Sequence, residues 1–284
     1  MGWRRYDGAM EAAFFDLDKT IISRSSSLAL SRPMYRAGLV SRAQLLRGAY
    51  AQLVYLLIGA DERRMERAKN ALLALTKGWE RRRVEQVVRE TLDNVLQPLI
   101  YQEALDLIAL HRALGRRVFI ISSATEEIVR PLAERLGVED VIATRVRIED
   151  GRYTGELAFY CYGPAKAEAI REVAAARGVD LAGSYAYSDS VTDLPMLEAV
   201  GNPIAVNPDR ELRRVAIGRG WQTRDFRRPV PLHRRFPAVP RPTGPVAAVS
   251  VAAAAGFVAG WLYLRRRIGS RRSDRGFPSR LLRV

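Results

Sequence analysis

Short apolar strands alternate with helices along residues 103–207, and this alternation constrains the fold more than any other feature of the chain. The strand segments are RVFIIS at 117–122, SYAYSDS at 184–190 and PIAVN at 203–207, with helical patterns before and between them. Strands that alternate with helices usually form a parallel sheet, and ligands bind beyond the carboxyl ends of its strands. The sequence therefore predicts an α/β domain whose functional residues lie along one edge of the sheet.

Local signals set the predicted limits of several elements in this region. TEEIVRPLAERLG is typical of a helix with Thr125 as its N-cap and Gly137 at its carboxyl end. A further helix is predicted from Pro164 to Arg177. Alternating residues on both sides of Asp150-Gly151 predict a β-hairpin.

One strand and a long helical block precede this region. The segment AAFFDLD at 12–18 is typical of a buried strand. From 25 to 114 apolar residues recur every three or four positions, for example in LLRGAYAQLVYLLIGA at 45–60 and VEQVVRETLDNVL at 84–96. This spacing predicts helices with one apolar face, so a helical block follows the first strand.

Two carboxylates stand at the end of the first strand, in the stretch FFDLDKT. In an extended chain Asp16 and Asp18 share one face, because successive side chains point to opposite sides. Two anions this close are tolerated beside a cation, when one of them is protonated, or in water. The pair alone is compatible with a solvated turn as well as with a functional site.

The scarcity of some residue types narrows the chemistry. Cys161 is the single cysteine, so an intrachain disulfide and a cysteine-rich metal site are excluded. His111 and His233 are the two histidines and lie far apart in sequence, which argues against a histidine zinc site or a Ser-His-Asp triad. Any catalysis must therefore use carboxylates, lysine and hydroxyl groups. Since the chain has four lysines, a lysine at a motif position is informative.

Polar residues follow successive predicted strands. Taken singly, Ser122 could cap a helix, Lys166 could be a surface lysine, and Asp193 could be the N-cap of the helix PML. Their common position at strand ends favours one shared site. The members of this predicted site are Asp16, Asp18, Thr20, Ser122, Ser123, Lys166, Asp189 and Asp193.

The segments that contain these residues resemble the four motifs of the haloacid dehalogenase (HAD) superfamily. The four segments are FFDLDKT, FIISSA, YGPAK and YSDSVTDLPML, and within the superfamily they are most similar to subfamily IB, the branch of the phosphoserine phosphatases. The resemblance implies a Rossmann-like core with a parallel sheet, formed by residues 12–24 and 98–226. It also implies a helical cap of the C1 type at 25–97.

The resemblance further implies a Mg²⁺-dependent phosphomonoester hydrolase that acts through an aspartyl-phosphate. Asp16 would be the nucleophile, and Asp18 would protonate the leaving oxygen and then activate water. Mg²⁺ would be held by the Asp16 carboxylate, the Asp18 carbonyl and Asp189, since this cation prefers oxygen ligands. Asp193 would orient a metal-bound water from the second shell.

The remaining members of the predicted site would bind the phosphoryl group. Lys166 and Ser122 would hold and neutralise its oxygens, with the backbone N–H near Ser123 assisting. Thr20 belongs to the same predicted phosphate-binding set, because it closes the first motif.

The substrate is left open by one departure from the phosphoserine phosphatase pattern. Those enzymes place a glutamate five positions after the motif threonine, whereas this chain has Ser25 there. A small phosphate ester similar to phosphoserine is one prediction, and a lysophosphatidate or glycerophosphate linked to a membrane is the alternative. A catalytically idle, membrane-tethered binding or regulatory module is a second alternative.

The composition changes after the α/β region. Residues 227–245 are rich in proline and arginine and are predicted to be a linker. Residues 246–264 are nineteen uncharged residues, enough to span a hydrocarbon core as a transmembrane helix. With seven alanines the segment could instead be a surface helix. Gly256 and Gly260 form a GxxxG motif that could pair two anchors in a homodimer.

The charge distribution bears on partners and location. Eleven arginines and one acid lie in residues 229–284, including the basic tail 265–284, so the net charge of +15 is concentrated there. This pattern favours anionic lipid headgroups over nucleic acid as a partner. No apolar signal segment precedes residue 12, which predicts a single-pass cell-membrane protein with a cytoplasmic catalytic domain. The side of the membrane on which the tail lies is left open.

Overall fold

The computed structural model describes residues 10–41, 73–74 and 76–227. The chain divides into two units, Met1–Leu232 and His233–Val284, and all described residues belong to the first. The predicted helix at 45–60, the transmembrane segment at 246–264 and the basic tail lie outside the described residues. Those interpretations stay predictions.

The described sheet has seven strands in the order β4-β3-β2-β1-β5-β6-β7. Every neighbouring pair is parallel except β3 and β4, which form an antiparallel hairpin. This confirms the predicted α/β fold with a largely parallel sheet. The strands are β1 Ala12–Asp16, β2 Arg117–Thr125, β3 Asp140–Glu149, β4 Arg152–Phe159, β5 Tyr185–Ser188, β6 Asn202–Val206 and β7 Gln222–Arg224.

Helices precede, connect and cover these strands. The α-helices among the described residues are α1 Ser26–Arg36, α2 Arg81–Thr91, α3 Gln102–Ala113, α4 Glu126–Arg135, α5 Pro164–Arg177, α6 Leu194–Glu198 and α7 Arg210–Gly218. A π-helical turn at Leu92–Leu96 and a 3-10 turn at Gln97–Leu99 follow α2, and a 3-10 turn at Val191–Asp193 precedes α6.

The sheet is buried on both faces because β1, in its centre, is apolar on both sides. Phe15 packs with apolar residues of α3 and α4. Phe14 faces the other way and packs with α5, α6 and α7. All five residues of β1 pair with β2 on one side, and its three middle residues pair with β5 on the other. From β1 the chain continues to β2 and β3 on one side of the sheet and then crosses to β5 on the other side. The strand order therefore reverses at β1, and ligands of such folds bind beyond the carboxyl ends of the strands at this point.

A third apolar cluster joins the helical block to the β3–β4 hairpin. Leu30 and Met34 of α1 and Val88 of α2 pack against Val146 and Tyr153 of the hairpin. The sequence prediction assigned the whole of 98–226 to the core. In the structure Val146 and Tyr153 of the hairpin pack with α1 and α2, which belong to the predicted cap, and this packing buries their apolar surface.

The local signals in the sequence are largely confirmed. Asp150 and Gly151 both have positive φ and connect β3 to β4, as a tight hairpin turn requires. Helix α5 begins at Pro164 and ends at Arg177 as predicted. Thr125 occupies the N-cap position of α4, but its side chain makes no capping hydrogen bond.

No helix in the described parts of the chain has the length and apolar content needed to cross a bilayer. The predicted span at 246–264 is not among the residues to which this statement applies.

A buried histidine lies between α3 and the sheet. His111 is 2% exposed, and its Nε2 lies 2.8 Å from the hydroxyl oxygen of Tyr187. Its Nδ1 is buried without a hydrogen-bond partner among the described residues. Burial, together with the nearby Arg116, lowers the pKa of His111 to about 4.

This lowered pKa predicts an acid-sensitive contribution to stability. The unfolded chain takes up the His111 proton near pH 6.5, while the folded chain resists it until about pH 4. The contribution of neutral His111 to the free energy of unfolding is therefore fully present above pH 6.5 and is lost as the pH falls toward 4. Between pH 7 and pH 4.5 we expect the free energy of unfolding of the wild type to fall by on the order of 2 kcal/mol more than that of His111→Phe.

Urea unfolding of both proteins across this pH range measures the difference. The buried aspartates titrate in both proteins and cancel in the comparison. Unfolding free energies that run parallel with pH in the two proteins would contradict the prediction.

Candidate active site

Asp16 is the last residue of β1, and the strand determines where its carboxylate points. Side chains alternate along a strand, so Asp16 lies on the same face as Phe14, toward α5. The residue is 6% exposed. Its Oδ1 accepts a hydrogen bond from Nζ of Lys166, in the first turn of α5, at 2.6 Å.

Lys166 is a buried cation shared by two carboxylates. It is 2% exposed, which rules out the surface lysine considered from sequence. Its Nζ also donates to Oδ2 of Asp193 at 2.8 Å, and the Ser188 hydroxyl donates to the same oxygen at 2.7 Å. Asp193 stands at the N-cap position of α6 but makes no side-chain capping bond. Its carboxylate instead fixes the position of Lys166.

The electrostatics of this cluster are those of charges held out of water. Burial raises the pKa of Asp16 well above its ordinary value, although Lys166 opposes this and Asp193 adds to it. Burial lowers the pKa of Lys166, but the two carboxylates outweigh burial and raise it above the ordinary value. The lysine is therefore held in its charged form.

Asp18 lies just beyond β1, and its carboxylate is held by a helix N-terminus. Its Oδ1 accepts a hydrogen bond from the backbone N–H of Ser26, the first residue of α1, at 2.9 Å. Burial raises the pKa of Asp18, while the bonds from Ser26 lower it in part. A positioned carboxyl group with a raised pKa can keep a proton for transfer.

Asp189 follows β5, the neighbour of β1 on the other side. Burial raises its pKa to about 6, Lys19 lowers it in part, and Asp193 raises it. Nζ of Lys19 lies 3.8 Å from Oδ2 of Asp189, and the Lys19 side chain is mostly exposed. An exposed lysine at this distance offsets little of the cost of burying a charged carboxylate. The charged form of Asp189 would therefore be stabilised by a further cation.

The three hydroxyl residues of the predicted site lie in different surroundings. Ser122 is buried, and its Oγ accepts a hydrogen bond from the N–H of Ala124 at 3.1 Å. Ser123 is exposed, and its carbonyl accepts from the Thr144 hydroxyl at 2.8 Å. Thr20 is completely buried, and its Oγ1 has no hydrogen-bond partner among the described residues.

Two residues that support the site were missed in the sequence. Ser188 donates to Asp193, and a signal existed in its position directly before the strand-end acid Asp189. Asp209 accepts hydrogen bonds from the N–H of Val191 at 2.9 Å and of Leu212 at 2.8 Å. It thereby caps α7 and ties down the loop after Asp189, a role that the segment NPDREL could have indicated.

The donor set suits a hard divalent cation. Asp16 and Asp189 are carboxylates whose pKa values are raised by burial, and a bound cation would stabilise their charged forms. Oxygen donors of this kind are those that Mg²⁺ prefers. Within the described ranges, no group of three or more His, Cys, Asp or Glu side chains is arranged to hold a metal. The predicted set differs from such a group, since it uses two carboxylates and the Asp18 backbone carbonyl.

Comparison with known proteins gives consistent results. The haloacid dehalogenase-like hydrolase family matches residues 13–198. A Streptomyces azureus protein named for inhibition of morphological differentiation is 52% identical over 90% of this chain and 94% of its own length. A probable phosphatase of Mycobacterium tuberculosis is 50% identical over 91% and 90%. A phosphoserine phosphatase of the same organism is 33% identical over 76% and 71%.

A solved structure shows the same fold. The phospho-aspartyl intermediate analogue of a phosphoserine phosphatase aligns with a TM-score of 0.57 at 19% sequence identity, and the alignment covers 78% of this chain and 95% of that one. At this identity the likeness concerns the arrangement of helices and strands.

Proposed function

This chain belongs to the haloacid dehalogenase-like hydrolase family and is a phosphatase, and on that premise we propose that it hydrolyses small phosphomonoesters with Mg²⁺ through an aspartyl-phosphate on Asp16. The observation that supports this proposal is the buried contact of Asp16 with Lys166, 2.6 Å between Oδ1 and Nζ at the carboxyl edge of the sheet. Burying such charges is costly, and ionisable groups with strongly shifted pKa values are concentrated at functional sites.

The first step is attack by a carboxylate oxygen of Asp16 on phosphorus, with the bond to the leaving oxygen breaking. Asp18 gives its proton to that oxygen, for which its raised pKa suits it. In the second step Asp18 takes a proton from water as the water oxygen attacks phosphorus. The bond from phosphorus to Asp16 breaks, phosphate leaves, and both aspartates return to their starting state.

The surrounding residues hold the phosphoryl group and the two reacting carboxylates. Lys166 lies against Asp16 and provides positive charge for phosphoryl oxygens. Asp193 positions Lys166, and the buried hydroxyl of Ser122, near the carboxyl end of β2, would donate to a phosphoryl oxygen. Mg²⁺, held by Asp16, Asp189 and the Asp18 carbonyl, would offset the repulsion between the nucleophile and the phosphoryl oxygens.

A screen of phosphate release tests this function. We expect Mg²⁺-dependent turnover of small phosphomonoesters, O-phosphoserine included, by the full chain, and slower release from lysophosphatidate. Chelation should stop the release, and added Mg²⁺ should restore it. Asp189→Asn should need at least about tenfold more Mg²⁺ for half-maximal rate, whereas Asp106→Asn, a change of an exposed aspartate on α3, should behave as the wild type.

Several outcomes would contradict the proposal. Release that is insensitive to chelation would argue against the metal. Preference for the lysolipid would favour the lipid-linked alternative, and a folded protein without turnover of any ester would favour the idle binding module.

Attachment to a membrane through residues 246–264, with the catalytic domain in the cytoplasm, is part of the proposal. It is supported by the uncharged stretch and the arginines that follow it. Pairing of two chains through Gly256 and Gly260 is likewise proposed from sequence alone.

A further inference from the structure

The segment between β4 and α5 lies beside the proposed active site. Cys161, in the middle of this segment, is completely buried among the apolar residues under α5. Its N–H donates to Oγ1 of Thr144 at 3.2 Å, and the same hydroxyl donates to the Ser123 carbonyl at 2.8 Å. The segment is therefore fixed to the carboxyl end of β2, which carries Ser122 and Ser123.

The two neighbours of Cys161 are tyrosines with stacked rings. The ring centroids of Tyr160 and Tyr162 are 5.3 Å apart and their planes differ by 14°. Both residues are half-buried. The N–H of Tyr162 donates to the carbonyl of Tyr160 at 2.9 Å, and this turn brings the two rings together. Since Cys161 is buried in the core whereas the tyrosines are half-buried, the stacked pair lies on the outer side of the segment, which follows β4 at the carboxyl edge of the sheet.

The pair is held close to the phosphate-binding lysine. Gly163 separates it from α5 and has φ 55° and ψ −126°, a conformation that residues other than glycine rarely adopt. The backbone N–H of Lys166 bonds to the Gly163 carbonyl at 3.1 Å, so the turn is tight. Burial raises the pKa of Tyr160, and the positive charge of the nearby Lys166 ammonium lowers it in part.

The chemistry proposed above uses neither tyrosine. An aromatic pair beside a phosphate site presents a large, rigid and partly apolar surface, and ordering it on binding costs little entropy. Flat unsaturated groups gain more from such a surface than saturated groups of similar volume, because stacked rings attract each other beyond simple burial.

We propose that the stacked Tyr160 and Tyr162 receive the leaving group of the substrate and select phosphomonoesters whose leaving group carries a flat aromatic ring. This inference rests on the proposed phosphatase function. The phosphoryl group binds at Lys166, and the ester oxygen directs the rest of the substrate toward the adjacent rings.

Two matched esters test the inference on the full chain with Mg²⁺. Benzyl phosphate and cyclohexylmethyl phosphate are both esters of primary alcohols and differ in the flatness and unsaturation of the ring. We expect kcat/KM to be about three- to tenfold higher for benzyl phosphate, with the difference mainly in KM. Tyr160→Leu and Tyr162→Leu should each reduce this ratio toward one, and Tyr160→Phe and Tyr162→Phe should preserve it.

The outcomes separate this inference from the function on which it rests. A wild-type ratio of one overturns it, and so does a ratio that both leucine variants retain. The wild-type ratio decides the matter even if a leucine variant fails to fold. Acetyl phosphate, whose leaving group has no ring, reports on the function itself: if the wild type hydrolyses it but shows no ring preference, the phosphatase stands and the inference fails.

Discussion

Replacing Asp16 by asparagine should lower phosphate release by on the order of a thousandfold or more, because the amide cannot attack phosphorus and form the acyl-phosphate. The loss should appear in kcat for every ester tested, since the nucleophile is common to all of them. Steady-state phosphate release with saturating Mg²⁺ measures it. A rate within tenfold of the wild type would remove Asp16 from the mechanism.

The fold should survive this substitution. Burial raises the pKa of Asp16 well above its ordinary value, which means that the charged form is held in the folded protein at a cost. Asparagine has nearly the same shape without the charge, so we expect thermal unfolding no earlier than that of the wild type. The exposed change Asp106→Asn is the matched control, and it should keep wild-type turnover.

Replacing Lys166 by methionine should affect both catalysis and stability. Methionine fills a similar volume but leaves Asp16 and Asp193 buried without their cation. Removing one partner of a buried ion pair typically costs about 3–5 kcal/mol of unfolding free energy. We also expect a loss of turnover on the order of a hundredfold or more, because a charge that faces the phosphoryl oxygens is gone. Urea unfolding and phosphate release measure the two effects.

A second substitution separates these effects. In Lys166→Met with Asp193→Asn one of the two uncompensated carboxylates is neutral, so part of the lost stability should return. The activity should not return with it. Lys77→Met, at an exposed lysine, is the matched control for the loss of a positive charge. If Lys166→Met were as stable as this control, the buried pairing would have no energetic role.

The course of the chain through the sheet followed from local patterns. The end of α5 at Arg177 and the turn at Asp150-Gly151 were predictable, because proline, glycine and alternating apolar residues act over a few positions. The packing of Val146 and Tyr153 against the cap helices was not predictable. Their alternation indicates that one face of the hairpin is buried, but it does not say which other segment covers that face.

The candidate site divides in the same way. The placement of acids and Lys166 after successive strands was visible in the sequence, since parallel strands bring their carboxyl ends to one edge. The sequence left open whether Asp193 capped a helix, and it gave no partner for Ser188. Both bind in one network with Lys166, which lies 27 residues from Asp193 and 150 residues from Asp16 along the chain.

The sequence by itself determined the order of strands and helices, the residue types at the strand ends and therefore the class of chemistry, because these depend on backbone geometry over a few residues. Only the tertiary structure decided which charges pair, which hydroxyls are buried, and that Asp18 and Asp189 have raised pKa values. The reason is physical. Burial and charge pairing are set by groups far apart in the chain, which meet only when the sheet and its helices have packed.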